Sequence, residues 1–125
     1  MMEKVYVQHD ENQKWMKDLQ FFDEEIKVMK KRLEEIASKN TAKNVLATIE
    51  HFQNQLIVQK DNIDKLKHEV NLSEDLVKEE IKKNKVAVDH REINDHSALR
   101  KDMTTFEKTF KDFKTELNLF LIKWM

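Results

Sequence analysis

From Leu99 onward, Met103, Phe106, Phe110, Phe113, Leu117, Phe120 and Trp124 follow at spacings of four and three without a miss. That rhythm is the seam of a long helix whose apolar side must find partners. Five of the nine Phe and Trp residues sit on this seam, so the chain cannot leave it in water. Trp15, Leu19, Phe22, Ile26, Met29, Leu33 and Ile36 repeat the rhythm, and so do Val45, Ile49, Phe52, Leu56, Gln59, Ile63, Leu66 and Val70. Gln59 is the one polar member of that last stripe, where a buried amide serves to fix register at some loss of stability.

The 125 residues contain neither glycine nor proline. Both residues mark the turns of sheets and the loops that cradle phosphate, so their absence favours long helices and removes the P-loop and dinucleotide-binding classes. Charged residues are 38% of the chain, yet 23 basic side chains nearly balance 24 acidic ones. No net field draws nucleic acid or anionic lipid, and neither partner is expected. Cysteine is absent, Met1 to Asp10 lacks an apolar run of signal-peptide length, and Leu117 to Met125 is too short to span a bilayer. These features lead to the expectation of a cytoplasmic protein.

The chain is the length of one domain. Val5 and Val7 alternate with polar residues, so residues 1–9 are expected to form an extended arm ahead of a single bundle over 10–125. Breaks are expected at Ser38 to Thr41, at Asn71 to Ser73, and at the polar interval Asp89 to Ala98, where the seam slips by one residue. The result is helices over about 11–39, 42–71, 74–89 and 96–124, in an all-α, antiparallel up-down-up-down four-helix bundle that returns Trp124 to the level of Trp15. The alternative is a three-helix bundle whose third helix, running unbroken from Ser73, would be about 78 Å long.

Chemistry is sparse. No histidine has Glu three residues before it, the spacing used by bundle metalloenzymes, and His-Glu-x-x-His is missing. Helix spacing proposes no Ser-His-Asp grouping, so an enzyme is not expected and no cofactor is implied. One polar constellation stands out: His90, Glu92, Asp95 and His96 gather two imidazoles and two carboxylates, and would hold a metal or small ligand only if that segment bends. The other unabsorbed feature is apolar. Phe21, Val28, Ile57, Val58, Leu119 and Ile122 lie off the seams and, in a bundle, outside the core. They are the expected contact surface of a non-catalytic interaction or scaffold protein, paired with a second copy as a homodimer or with another helical protein.

Overall fold

The computed structural model describes residues 2–83 and 92–125. Five elements follow one another: β1 (Met2–Lys4), α1 (Val5–Lys39), α2 (Lys43–Lys83), β2 (Glu92–Asn94) and α3 (Ser97–Trp124). The fold is all-helical apart from one pair of short strands, and among the described residues the helices number three.

Every expected seam residue of α2 is buried, from Val45 to Val70. In α1 only Phe22 stays partly exposed, and it packs on the same core. The seam of α3 drifts at its end: Leu121 is buried, whereas Phe120 and Trp124 are partly covered. Aromatic contacts fix the direction of α3. Phe22 of α1 meets Phe106 and Phe110, with ring centroids 5.7 and 4.9 Å apart, and Phe52 of α2 meets Phe120 at 5.2 Å. So α3 runs beside α1 in the same direction, antiparallel to α2, and Trp124 lies at the opposite end of the molecule from Trp15.

Two boundaries differ from the sequence reading. The helix starts at Val5 rather than after residue 9, because the spacing of three and four extends upstream from Trp15 through Asn12 and Gln8 to a fully buried Val5. The expected break at Asn71 to Ser73 does not occur: α2 continues to Lys83. Neither Asn nor Ser breaks a helix unaided, and Val70, Ser73 and Val77 keep the seam spacing while facing α1. The segment expected as a third helix is therefore, as far as Lys83, the end of the second, and residues 84–89 lie outside the described residues. The count is that of the three-helix alternative, but the longest member is α2, with 41 residues spanning roughly 62 Å.

The turn after Lys39 falls where expected, and Asn40 manages it without glycine. Its backbone is extended, with φ −125°, and its side-chain Nδ2 donates to the carbonyl of Ile36 at 2.8 Å, covering an orphan acceptor of the last turn. No described residue has positive φ, consistent with a chain that has no glycine to put there.

Three ion pairs tie the helices along their length. Asp23, only 6% exposed, accepts from Lys60 at 2.8 Å and Lys67 at 2.7 Å, linking α1 to α2. Burial pushes its carboxyl up, but the two lysine hydrogen bonds outweigh this and hold it below the usual aspartate range. Lys114 of α3 bridges to Glu25 of α1. Gln59 is buried at 4%, and its Oε1 has no hydrogen-bond partner. An unmet acceptor in the core costs about 1 kcal/mol or more, so Gln59→Met, which keeps the length and removes the amide, is expected to raise stability by about 1 kcal/mol in urea unfolding.

Candidate functional site

Four of the six buried polar side chains among the described residues, Gln8, Asn12, Ser73 and Glu74, gather at one end of the bundle, and three of them occupy seam positions. On α1 the stripe that is apolar from Trp15 onward continues upstream as Asn12 and Gln8, 1% and 2% exposed. On α2 the stripe continues past Val70 as Ser73 and Glu74, also buried. Because α1 and α2 are antiparallel, these polar turns meet. Asn12 Nδ2 donates to Ser73 Oγ at 3.2 Å and to Glu74 Oε2 at 3.3 Å, while His9 Nδ1 lies 2.6 Å from Glu74 Oε1.

The start of α3 closes over this layer. His96 is held on three sides: Nδ1 is 2.9 Å from Ser73 Oγ, Nε2 is 2.9 Å from Glu11 Oε1, and the ring lies against Trp15 with centroids 4.9 Å apart. Glu11 is ionised, since the hydrogen bond from Arg100, the largest influence on it, holds its carboxyl below the usual range, with His96 adding to the effect against burial. An ionised carboxylate only accepts, so Nε2 carries the shared hydrogen, and in the neutral ring Nδ1 accepts from the Ser73 hydroxyl. The donors thus form one ladder from Asn12 through Ser73 and His96 to Glu11.

Arg100, one turn into α3, completes the clasp. Its Nε and Nη2 donate to the two oxygens of Glu11 at 2.9 and 2.6 Å, and Nη2 also reaches Glu3 of β1 at 3.0 Å. Guanidinium geometry suits this fork, which an ammonium could not reproduce. Beside it β1 pairs antiparallel with β2, with Met2 opposite Asn94 and Lys4 opposite Glu92, and Gln8 Nε2 donates to the Asn94 carbonyl at 2.6 Å. A groove of about 520 Å³ borders the cluster, lined among the described residues by Ser73 and His96 together with Leu72, Leu76, Ile93 and Leu99. A second groove of about 600 Å³ lies between α1 and α2, floored by Ile26, Leu56 and Ile57 and rimmed by charges of both signs.

The sequence-derived polar constellation is not gathered around one point. Glu92 pairs with Lys4 at 3.7 Å, Asp95 accepts from the Ser97 amide at 3.4 Å, and both nitrogens of His96 face Ser73 and Glu11. His90 lies outside the described residues. Among those described, no three His, Asp or Glu side chains are grouped as a metal ion requires. Glu11, Ser73 and Arg100 escape a reading by local spacing, because their partners are 23 to 97 residues away. The signal that finds Ser73 is the unbroken seam spacing through Asn71 to Ser73, and the same spacing upstream of Trp15 finds Asn12.

The six outer apolar residues are all exposed, from 48% for Val28 to 78% for Ile122. Phe21 lies at the middle of α1 and the other five in the half of the bundle nearer the α1–α2 turn, but they do not share one face. Asp23 faces α2 and Phe22 faces α3, so one further step of about 100° puts Phe21, and Val28 two turns on, around the outer flank on the α3 side. Ile122, eight residues beyond Lys114, stands outward on the α1 side of α3 with Leu119 one turn before it. Ile57 instead lines the α1–α2 groove, and Val58 points about another 100° away. No helix among the described residues is long and apolar enough to cross a membrane. Compared with known protein families, curated proteins and solved structures, the chain matches none.

The clasp gives the fold a defined acid response. Glu11 has a folded pKa below the ordinary glutamate value of 4.5, so its stabilisation is complete above that value and is lost as pH falls through the folded one. Arg100→Lys removes the fork. Since the Arg100 side chain is 40% exposed and screened by water, the expected cost is about 1 kcal/mol at neutral pH. The difference from wild type should shrink as pH falls from 4.5 through the folded value of Glu11, where the charge that the fork holds is lost, as read by urea unfolding across pH.

Proposed function

We propose that this protein is a helical-bundle interaction module that pairs with a second copy of itself through the outer flank shared by α1 and α3. The observation that carries the reading is the set Phe21, Val28, Leu119 and Ile122, which stand 60%, 48%, 66% and 78% exposed along that flank. Single exposed apolar residues are ordinary, but four on adjoining faces of two packed helices form a surface that gains by being covered. Lys17 and Glu24 on α1 and Lys111 and Thr115 on α3, all exposed, surround them. Charges of both signs there allow a like surface to approach without net repulsion. A two-fold pairing is self-complementary by symmetry and needs no other partner.

Sedimentation equilibrium of the wild type and of the Phe21→Lys, Ile122→Lys double variant tests the reading. A dimer for the wild type and a monomer for the variant are expected, with the helical circular dichroism of the two unchanged. A wild type that stays monomeric at every concentration removes self-pairing, and the flank then belongs to another helical protein or to none.

A further inference from the structure

We propose that Ser73 is an activated nucleophile and that the clasp end of the bundle hydrolyses small carboxylic esters. The arrangement has the nucleophile, base and orienting carboxylate of acyl transfer, contributed by α1, α2 and the residue that caps α3. Ser73 Oγ and His96 Nδ1 are 2.9 Å apart, and His96 Nε2 and Glu11 Oε1 are also 2.9 Å apart, so nucleophile, base and orienting carboxylate form a continuous chain. Asn12 Nδ2 donates to Ser73 Oγ, which leaves the hydroxyl hydrogen directed at Nδ1. The His96 side chain is 9% exposed and lies tilted at 41° against the Trp15 ring, so its orientation is fixed by packing as well as by hydrogen bonds. The ring is used in the opposite sense from the familiar triad, with Nδ1 toward the serine. Either imidazole nitrogen can take the proton, provided the other donates to the carboxylate.

The same groove supplies the remaining elements. Ala98 and Leu99, which line it with Ser73, belong to the first turn of α3, where helix geometry leaves the amides without intrahelical acceptors. His96, the residue at the cap, makes no side-chain bond to that turn. Asp95 Oδ1 accepts from the Ser97 amide of that turn at 3.4 Å, so an oxyanion formed in the groove would draw on the Ala98 and Leu99 amides and the positive end of α3. Leu72, Leu76 and Ile93 give it aliphatic surface for an acyl chain, while Glu69, Glu79, Glu80 and Asp95 line it as well and disfavour an anionic substrate. The groove of about 520 Å³ admits a small molecule.

In the reaction, Ser73 Oγ bonds to the ester carbonyl carbon as its proton passes to His96 Nδ1, and the carbonyl electron pair moves to the oxygen. Collapse breaks the bond to the alkoxy oxygen, which leaves as the alcohol with the proton from Nδ1. Water then attacks the acyl-serine, giving its proton to Nδ1, and collapse returns that proton to Ser73 and releases the carboxylic acid. Glu11 stays ionised throughout and stabilises the imidazolium. Arg100, by sharing that carboxylate, weakens this help and keeps the rate modest.

A fluorophosphonate probe with the full chain, followed by peptide mass spectrometry, tests the assignment without depending on any variant. Covalent label on Ser73 is expected. Turnover of p-nitrophenyl acetate and butyrate is expected to vanish in Ser73→Ala and to fall about 100-fold in His96→Asn, with a smaller loss in Glu11→Gln. Thermal unfolding of each variant separates lost chemistry from lost structure. The Phe21→Lys, Ile122→Lys variant, altered at exposed positions outside the clasp, should label as the wild type does, so failure of self-pairing and failure of this assignment are distinguishable. No label on Ser73 in the wild type, or ester turnover unchanged in a folded Ser73→Ala, overturns the proposal.

Discussion

Burial of three apolar stripes against one another is the constraint on which everything else here rests. Twenty-one apolar side chains are buried among the described residues, and a fully buried Leu or Phe is worth about 1.5–3 kcal/mol relative to exposure. Each hydrogen bond of the polar clasp contributes about 1–3 kcal/mol at most. The stripes therefore set the topology, and the clasp acts within a bundle that is already assembled. A similar division holds for the Asp23 pairs: lysines bound to a buried carboxylate specify where α1 and α2 meet more than they add to stability.

That ordering explains which parts of the fold were legible in the sequence. The seams of α1, α2 and α3 could be read because a period of three and four is a local property, visible without knowing any partner. The turn at Asn40 could be read for the same reason. What failed was the treatment of polar residues as breaks. Asn71 and Ser73 resemble a capped connection, and Gln8 falls in what resembles an arm, because side chains that favour caps also compete with helix backbone when nothing faces them. Here Ser73 faces Asn12, and Gln8 reaches the Asn94 carbonyl. Two polar turns, each weak alone, become seam positions because the antiparallel pairing supplies hydrogen-bond partners, and tertiary context overrides propensity.

The candidate site was legible only at one of its members. His96 stood out by composition, as part of a polar interval with Glu92 and Asp95, yet its actual partners, Ser73 and Glu11, come from other helices and carry no mark in the sequence around it. A side-chain network built across three helices has no sequence motif, since its geometry exists only once the seams have fixed the relative heights of the helices. Arg100 gives a weaker hint. The chain has twenty lysines and three arginines, so an arginine at a seam's start marks a place where a planar fork was needed.

The two ends of the molecule are built for different work. At the α1–α2 turn the outer residues of α3, Leu119 and Ile122, are apolar and exposed, and the polar side chains bond locally, as Asn40 does to the Ile36 carbonyl and Ser38 to the Glu35 carbonyl. At the clasp end nearly every polar side chain near the core is assigned a partner, and the remaining unmet acceptor, Asn12 Oδ1, sits beside Ser73. An unmet acceptor in an otherwise satisfied cluster costs stability that an apolar replacement would not. Retaining Asn12 there keeps the Ser73 hydroxyl oriented toward His96, because Nδ2 occupies the lone pair that would otherwise be free to accept from elsewhere. An alanine at position 12 would release that orientation while leaving Leu19, Leu33 and the rest of the seam in place, so its effect falls on the geometry of Ser73 before it falls on the fold.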